Sequence, residues 1–387
     1  MRAASKPRLH VIAIGGAQQF PHFIPVACEV QRRGRFEVTI FVPSREDACA
    51  LAGLARKIKA ALPEIVIMGL PPGLAAAPTK LHKMLRLLNS SRRLRACETM
   101  LCAERTSTLL KRLPGRSPPL IHIPHGAGDR AVGFEKRFSL FDHVIVAGAK
   151  DRDRLIGSGV VAPTQCHVGG PVKIAAMLKS VESRPRLFSN QLPTILYNPH
   201  FKKSLGSADM FVRPLVDAVM KEERFNLVIA PHVRLAQGWS EAKRQEWNNL
   251  SVQGRVAVDL GSERSIDMTY TLGSDIYIGD VSSQVYEFCI RPRPCIFVNA
   301  HGVEWRGDES FAMWNFGEVI ELDHEIGAAL ERVTEAHGSF RPVQRERAKS
   351  ALMGLRWNED DMPCFGDVDP IIRTAELVEA TVFKPAS

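Results

Sequence analysis

Short apolar, β-branched runs alternate with longer amphipathic segments along most of this chain. In the first half the runs predict strands at 9–14, 36–42, 65–68, 120–123, 143–147 and 166–168. Apolar positions recurring every three or four residues predict helices at 21–33, 45–62, 78–112 and 150–157. The rhythm breaks at 179–191, a polar and basic stretch with a proline, and then restarts. Strands are expected at 194–197, 227–230, 257–260, 275–279 and 295–298, with helices at 207–221, 239–249, 265–272 and 283–290 between them. A last helix is expected at 370–383.

Alternation of this kind predicts parallel, doubly wound sheets. It divides the chain into units at 1–180 and 190–370, with 371–387 packing back towards the first unit. Open α/β sheets bind ligands outside their strand carboxyl ends, so two units in series should aim loops into a shared cleft. The expected fold class is α/β with GT-B architecture, two Rossmann-like domains facing that cleft. Gly15-Gly16-Ala17 after the first strand lacks the dinucleotide spacing, and no P-loop lysine motif is present, which argues against a dehydrogenase and a P-loop NTPase.

Composition narrows the partners. With 45% hydrophobic and 24% charged residues, the 387-residue chain has the make-up of a soluble globular protein. A formal charge of +9 favours anionic partners: phosphate compounds, nucleic acid or an anionic membrane face. Nucleic acid fits poorly, because zinc-finger and RNP patterns are missing and only 7% of residues are aromatic. The eight cysteines include no CxxC pair, which suggests reduced thiols in a cytosolic protein. No apolar run approaches the roughly 18 residues needed to span a bilayer. The basic start before Val11–Ile14 imitates an export signal but has only a strand's length, so it is expected to be the first strand.

The densest candidate chemistry lies in Ser274–Asn299. A strand there runs into Asp280-Val281-Ser282-Ser283, a short helix follows, Pro292 and Pro294 stop it, and a second strand closes the unit. Ser282 and Ser283 either cap that helix or hold phosphate at its N-terminus. His125-Gly126, in the run IPHGAGDR, puts a histidine on a glycine-rich loop. It suits a general base near neutral pH, or a structural loop histidine. Arg130 belongs to the same loop. His232, with Arg234 close by, either offsets the charge of a leaving nucleotide or packs structurally. Lys202, Lys203 and Ser204 are phosphate contacts or a solvated basic loop. Pro171 and Lys173 sit on a turn before the linker.

Residues 79–95 carry a separate pattern. Leu81, Met84, Leu85 and Leu88 form a stripe, surrounded by Lys80, Lys83, Arg86, Arg92, Arg93 and Arg95. Such a helix either lies on an anionic membrane or buries its leucines in the core. Asp280 and Asp308 are oxygen ligands open to a divalent ion, but nothing in their spacing requires one, and no cofactor is called for.

The run Asp280-Val281-Ser282-Ser283, the helix with Glu287, and the order of His125-Gly126, Asn198-Pro199 and Pro231-His232 resemble the CDP-glycerol glycerophosphotransferase family, the teichoic-acid primases and polymerases. The likeness covers roughly residues 118–300, with Val281 in place of the family's aromatic and no tryptophan near Phe201. It implies a GT-B fold with an acceptor domain followed by a donor domain. It also implies transfer of glycerol phosphate, or a related alditol phosphate, from a CDP-activated donor to a membrane-associated lipid or glycan acceptor.

On that likeness His125 and His232 are catalytic. Asn198, Pro199, Arg234, Asp280, Ser282, Ser283 and Glu287 bind the donor, and Gly126 and Arg130 form the acceptor loop. Lys80, Lys83, Arg86, Arg92 and Arg93 meet the inner face of the plasma membrane. Three other functions share the same features: a glycosyltransferase using a nucleotide-sugar, a non-hydrolysing nucleotide-sugar 2-epimerase, and a membrane-associated binding protein with a degenerate site.

Overall fold

The computed structural model describes residues 5–74, 79–130 and 135–383. The first sheet contains β1 (Arg8–Ile12), β2 (Glu37–Val42), β3 (Glu64–Ile67), β4 (Thr99–Cys102), β5 (Leu120–His122), β6 (His143–Val146) and β7 (Cys166–Val168). All run parallel, in the order β3-β2-β1-β4-β5-β6-β7. The second contains β8 (Thr194–Asn198), β9 (Asn226–Ile229), β10 (Val256–Val258), β11 (Ile276–Gly279), β12 (Cys295–Val298) and β13 (Glu318–Ile320). These are also parallel, in the order β10-β9-β8-β11-β12-β13. A small antiparallel hairpin joins β14 (Leu355–Trp357) to β15 (Pro363–Phe365). Two Rossmann-like parallel sheets are the α/β pattern that the strand–helix rhythm predicts.

The central strands are buried along nearly their whole length and mostly apolar, because helices cover both faces. Alternate residues of each strand feed different layers. Ile195, Ile276, Ile278, Ile296 and Val298 pack with the helix Ala208–Glu222, whereas Leu196, Tyr277 and Phe297 join the core on the other face of the sheet. The helix Pro370–Ala380, capped by Asp369, lies on Ile24–Arg33, and its buried Glu379 pairs with Arg33 at 3.2 Å and Arg35 at 3.0 Å.

The helix expected over 265–272 is instead a 3-10 turn, Glu263–Ser265, and a short helix, Thr269–Gly273, and a second expectation fails more fully. The single helix over 78–112 is instead two helices, Thr79–Asn89 and Ser91–Leu94, then β4, then a 3-10 segment, Arg105–Arg112. Thr99-Met100-Leu101-Cys102 is wholly buried between β1 and β5 and shows no polar alternation. A four-residue strand covered on both faces has the same apolar signature as a buried helical turn. β13, a three-residue strand at the sheet edge, was also not foreseen, because it offers too few residues for any period to register.

Candidate functional site

Each sheet reverses its winding once, between β1 and β4 in the first and between β8 and β11 in the second. Ligands of open α/β sheets sit in the crevice outside the strand ends at such a reversal. At the second reversal the flanking loops are Asn198-Pro199-His200 after β8 and Asp280–Ser283 after β11. At the first they carry His22 and Glu104, and the next strand, β5, delivers His125.

Buried polar groups hold the second pair of loops. Asp280 is wholly buried and accepts from the His200 N–H at 2.8 Å, the Ser207 N–H at 3.1 Å and the Ser207 hydroxyl at 2.6 Å. Burial, only partly offset by these donors, pushes its carboxyl up to about 6. Asp280 thus fastens the 199–207 loop to the end of β11. Asn198 donates to the Ala230 carbonyl at 2.7 Å and the Pro199 carbonyl accepts the His232 N–H at 3.1 Å, so both tie the β8 rim to the β9 rim. Asp308 caps the segment Glu309–Phe316 through the Ser310 N–H. Among the described residues no three His, Cys, Asp or Glu side chains gather as metal ligands.

The two serines part company. Ser282 is buried and accepts the Gln284 N–H at 3.3 Å, a capping bond. The helix it caps, Gln284–Phe288, has only five residues, so its dipole adds little. Ser283 crosses to the other domain and lies over Gly126. A Cβ at Gly126, whose φ is +99°, would stand 2.7 Å from the Ser283 Oγ. The glycine is therefore needed both for its backbone angle and for the approach of the two domains.

Three histidines converge here, and hydrogen bonds fix the tautomers of His125 and His232. His125 Nδ1 stands 3.3 Å from the Ala103 carbonyl, which can only accept, so Nδ1 carries the proton and Nε2 keeps its lone pair. His232 is the reverse. Its Nδ1 accepts the Arg234 N–H at 3.2 Å, leaving the proton on Nε2. His200 Nδ1 likewise accepts the Lys202 N–H at 3.1 Å. The cleft thus contains one imidazole acceptor from the first domain and imidazole donors from the second.

All three are held neutral. Burial first, then Arg234 and His125, bring His232 down to about 4. Burial and Arg130 bring His200 down to about 3. His125 is also lowered by the surrounding protein, with Glu104 and the Ala103 carbonyl opposing and Arg105 and Arg234 assisting. Its ring is nevertheless open to solvent in the cleft.

Arg234 stacks over Phe201 at 4.4 Å, and Phe201 packs on both His200 and His232. Arg130 reaches from the first domain to within 2.7 Å of His200 Nε2.

The domains meet through buried ion pairs. Lys173 from the first bonds both oxygens of Glu287 from the second at 2.7 and 2.8 Å, with both residues buried. Glu287, expected to bind a donor, is thereby engaged. Tyr286 donates to Asp129 at 2.8 Å, and Asp129 also holds Lys150 at 2.9 Å. Between His22, Gly126, Lys173, Ser283 and Glu287 lies a cavity of about 40 Å3, room for a water or two.

The basic helix divides its roles. Leu81, Met84 and Leu88 are exposed, Leu85 is half-buried, and Leu87, outside the expected stripe, is the buried anchor. Lys83 turns to Glu104 at 3.3 Å and Arg86 to the Met68 carbonyl at 3.1 Å, whereas Arg92 and Arg93 stay exposed. The side chain of Lys80 lies outside the described residues. His22, Glu104 and His200 were not singled out from the sequence. Position at a strand's carboxyl end was the available signal for His200, and β4 had to be recognised before Glu104 had one.

No protein-family description and no curated sequence matches this chain. Solved structures do match over nearly their full length. UDP-GlcNAc 2-epimerase from Neisseria meningitidis, bound to UDP-GlcNAc, is 13% identical with a TM-score of 0.59, covering 97% of this chain and 99% of its own. The wall teichoic acid polymerase TagF is 12% identical with a TM-score of 0.62, covering 97% and 88%. A glycosyltransferase from Rickettsia africae is 12% identical with a TM-score of 0.52, covering 98% and 100%. The chain has the GT-B fold. At these identities the likeness is one of architecture.

Proposed function

We propose that the protein is a transferase that takes a nucleoside-diphosphate-activated sugar or alditol into the interdomain cleft and passes the activated group to a hydroxyl acceptor. The observation that carries this reading is the opposed tautomers of His125 and His232 on facing domains. His125 Nε2 takes the acceptor proton as the hydroxyl oxygen attacks. The bond from the transferred group to the nucleotide oxygen breaks, and the nucleotide leaves with the bonding electrons. The His232 Nε2–H and the guanidinium groups of Arg130 and Arg234 offset the developing charge. With a CDP-alditol the attacked atom is the β-phosphorus and CMP departs. With a nucleotide-sugar it is the anomeric carbon and a nucleoside diphosphate departs.

The resemblance around Ser282-Ser283 favours the alditol phosphate. The solved structures of like fold, several of which are UDP-GlcNAc 2-epimerases or glycosyltransferases, favour a sugar donor. An epimerase is the second reading, supported by Glu104, a carboxylate beside His125 that is lowered from its ordinary value because, against its burial, Lys83 stabilises the ionised form.

Thermal unfolding with CDP-glycerol, UDP-GlcNAc and CMP tests the donor. A ligand at a hundred times its Kd adds about 2.7 kcal/mol and raises Tm. A shift with cytidine compounds alone selects the alditol phosphate, and one with UDP-GlcNAc selects a sugar. No shift with any of them contradicts the proposal and leaves a binding scaffold. The exposed row Leu81, Met84 and Leu88, with Arg92 and Arg93 nearby, suits a lipid-linked acceptor on an anionic membrane. Sedimentation with phosphatidylglycerol vesicles should fall severalfold in Leu81→Ser/Leu88→Ser, and unchanged sedimentation removes the membrane from this account.

A further inference from the structure

Arg130 and His200 meet across the cleft in a contact that neither tautomer satisfies. Arg130 Nη1 is 2.7 Å from His200 Nε2, and the Lys202 N–H points at His200 Nδ1 from 3.1 Å. Both neighbours are donors, and a neutral imidazole has one acceptor nitrogen. If Nδ1 accepts from Lys202, the Nε2–H faces a guanidinium N–H. If Nε2 accepts from Arg130, the Nδ1–H faces the Lys202 N–H. Protonating the ring gives it two donors and worsens both contacts.

Among the described residues the surroundings supply no acceptor. Phe201 covers the ring at 4.4 Å, His232 lies 6.0 Å away, and Arg130, His232, Lys202 and Arg234 all disfavour a positive charge on it. Asp280, which reaches this loop, is committed to the His200 backbone N–H and to Ser207.

We infer that Arg130 and His200 form a phosphate seat, with an anionic oxygen between them accepting from the guanidinium and from the imidazole Nε2–H. One oxygen then turns two opposed donors into two charge-assisted hydrogen bonds, the Lys202 bond is kept, and the domains are joined through the ligand. This inference rests on the proposed donor site and deepens it: His200 becomes a phosphate-binding residue, and Arg130 serves the donor's phosphates in addition to the acceptor side. In the unliganded protein the two residues repel, so the seat favours a parted cleft until phosphate arrives.

The test uses the full-length protein, inorganic pyrophosphate and UDP or CDP, with calorimetric titration and thermal unfolding. His200→Asn keeps an acceptor for the Lys202 N–H and removes the Nε2 donor. It should weaken pyrophosphate and nucleotide binding by at least about tenfold. His200→Gln keeps a donor on the Arg130 side and should bind more tightly than His200→Asn. Arg130→Met should lose affinity to a similar degree as His200→Asn, and the double variant should lose little more than either, because both residues act on one oxygen.

A purely structural His200 predicts the reverse, a lowered Tm without ligand and a normal ligand shift. The inference expects the unliganded Tm of His200→Asn to hold or rise while the ligand shift shrinks. Wild-type affinity for pyrophosphate in His200→Asn, or none at millimolar concentration in the native protein, overturns it. Nucleotide binding that persists under either result leaves the donor reading standing. Pyrophosphate bound through His200 as tightly as UDP and CDP keeps the seat and sinks the donor reading.

Discussion

Replacing His125 with alanine should lower kcat/KM by about 10²- to 10⁴-fold with the fold intact. The side chain extends from a loop, bonds the Ala103 carbonyl, meets the His22 ring edge-on at 6.5 Å, and is no member of the apolar core. What is lost is the lone pair on Nε2, the ring nitrogen left free by the Ala103 bond. The pH profile gives an independent check. Burial, with Arg105 and Arg234, lowers His125 below its ordinary 6.5, so the basic form dominates at neutral pH. Activity should therefore fall only below that lowered value, along a single-proton limb that disappears in His125→Ala. Steady-state rates from pH 4 to 8 measure both effects, and an unchanged rate in the variant removes His125 from the chemistry.

Lys173→Met should destabilise the protein by about 3–5 kcal/mol, read as a shift of the urea midpoint. Lys173 and Glu287 are 5% and 7% exposed, and each is the other's ion-pair partner across the domain junction. Removing the ammonium strands a buried carboxylate, and the cost is mainly that uncompensated charge. The double variant Lys173→Met/Glu287→Leu should recover most of the loss, since a matched apolar pair replaces a buried ion pair at little cost. A double variant no more stable than the single one contradicts this account of the junction.

The sequence carried the sheets because parallel strands covered on both faces are short, β-branched and bounded by turns, as in Thr194–Asn198 and Cys295–Val298. It hid β4 for the same physical reason: Thr99–Cys102 is so completely enclosed that it keeps no period, and charged segments on either side extended the helical signal across it. Of the site, the strand-end histidines were visible as residue types in loops. Their tautomers were not: that of His125 depends on the Ala103 carbonyl at the end of another strand, and that of His232 on the loop conformation that brings the Arg234 N–H to its Nδ1. Asp280 looked like a ligand-facing acid by its motif, whereas its carboxylate is spent on Ser207 and the His200 backbone, residues more than 70 positions away. Glu287 looked like part of a donor site, and its partner Lys173 lies 114 positions away in the other domain.

The central claim is transfer from a nucleoside-diphosphate donor with His125 as the base. Phosphorus NMR of the purified protein with CDP-glycerol or UDP-GlcNAc and a lipid extract tests it most directly. The account predicts that free nucleotide resonances grow with the native protein and vanish with His125→Ala. Nucleotide release undiminished in His125→Ala, or a sugar epimerised while its diphosphate stays intact, would contradict it.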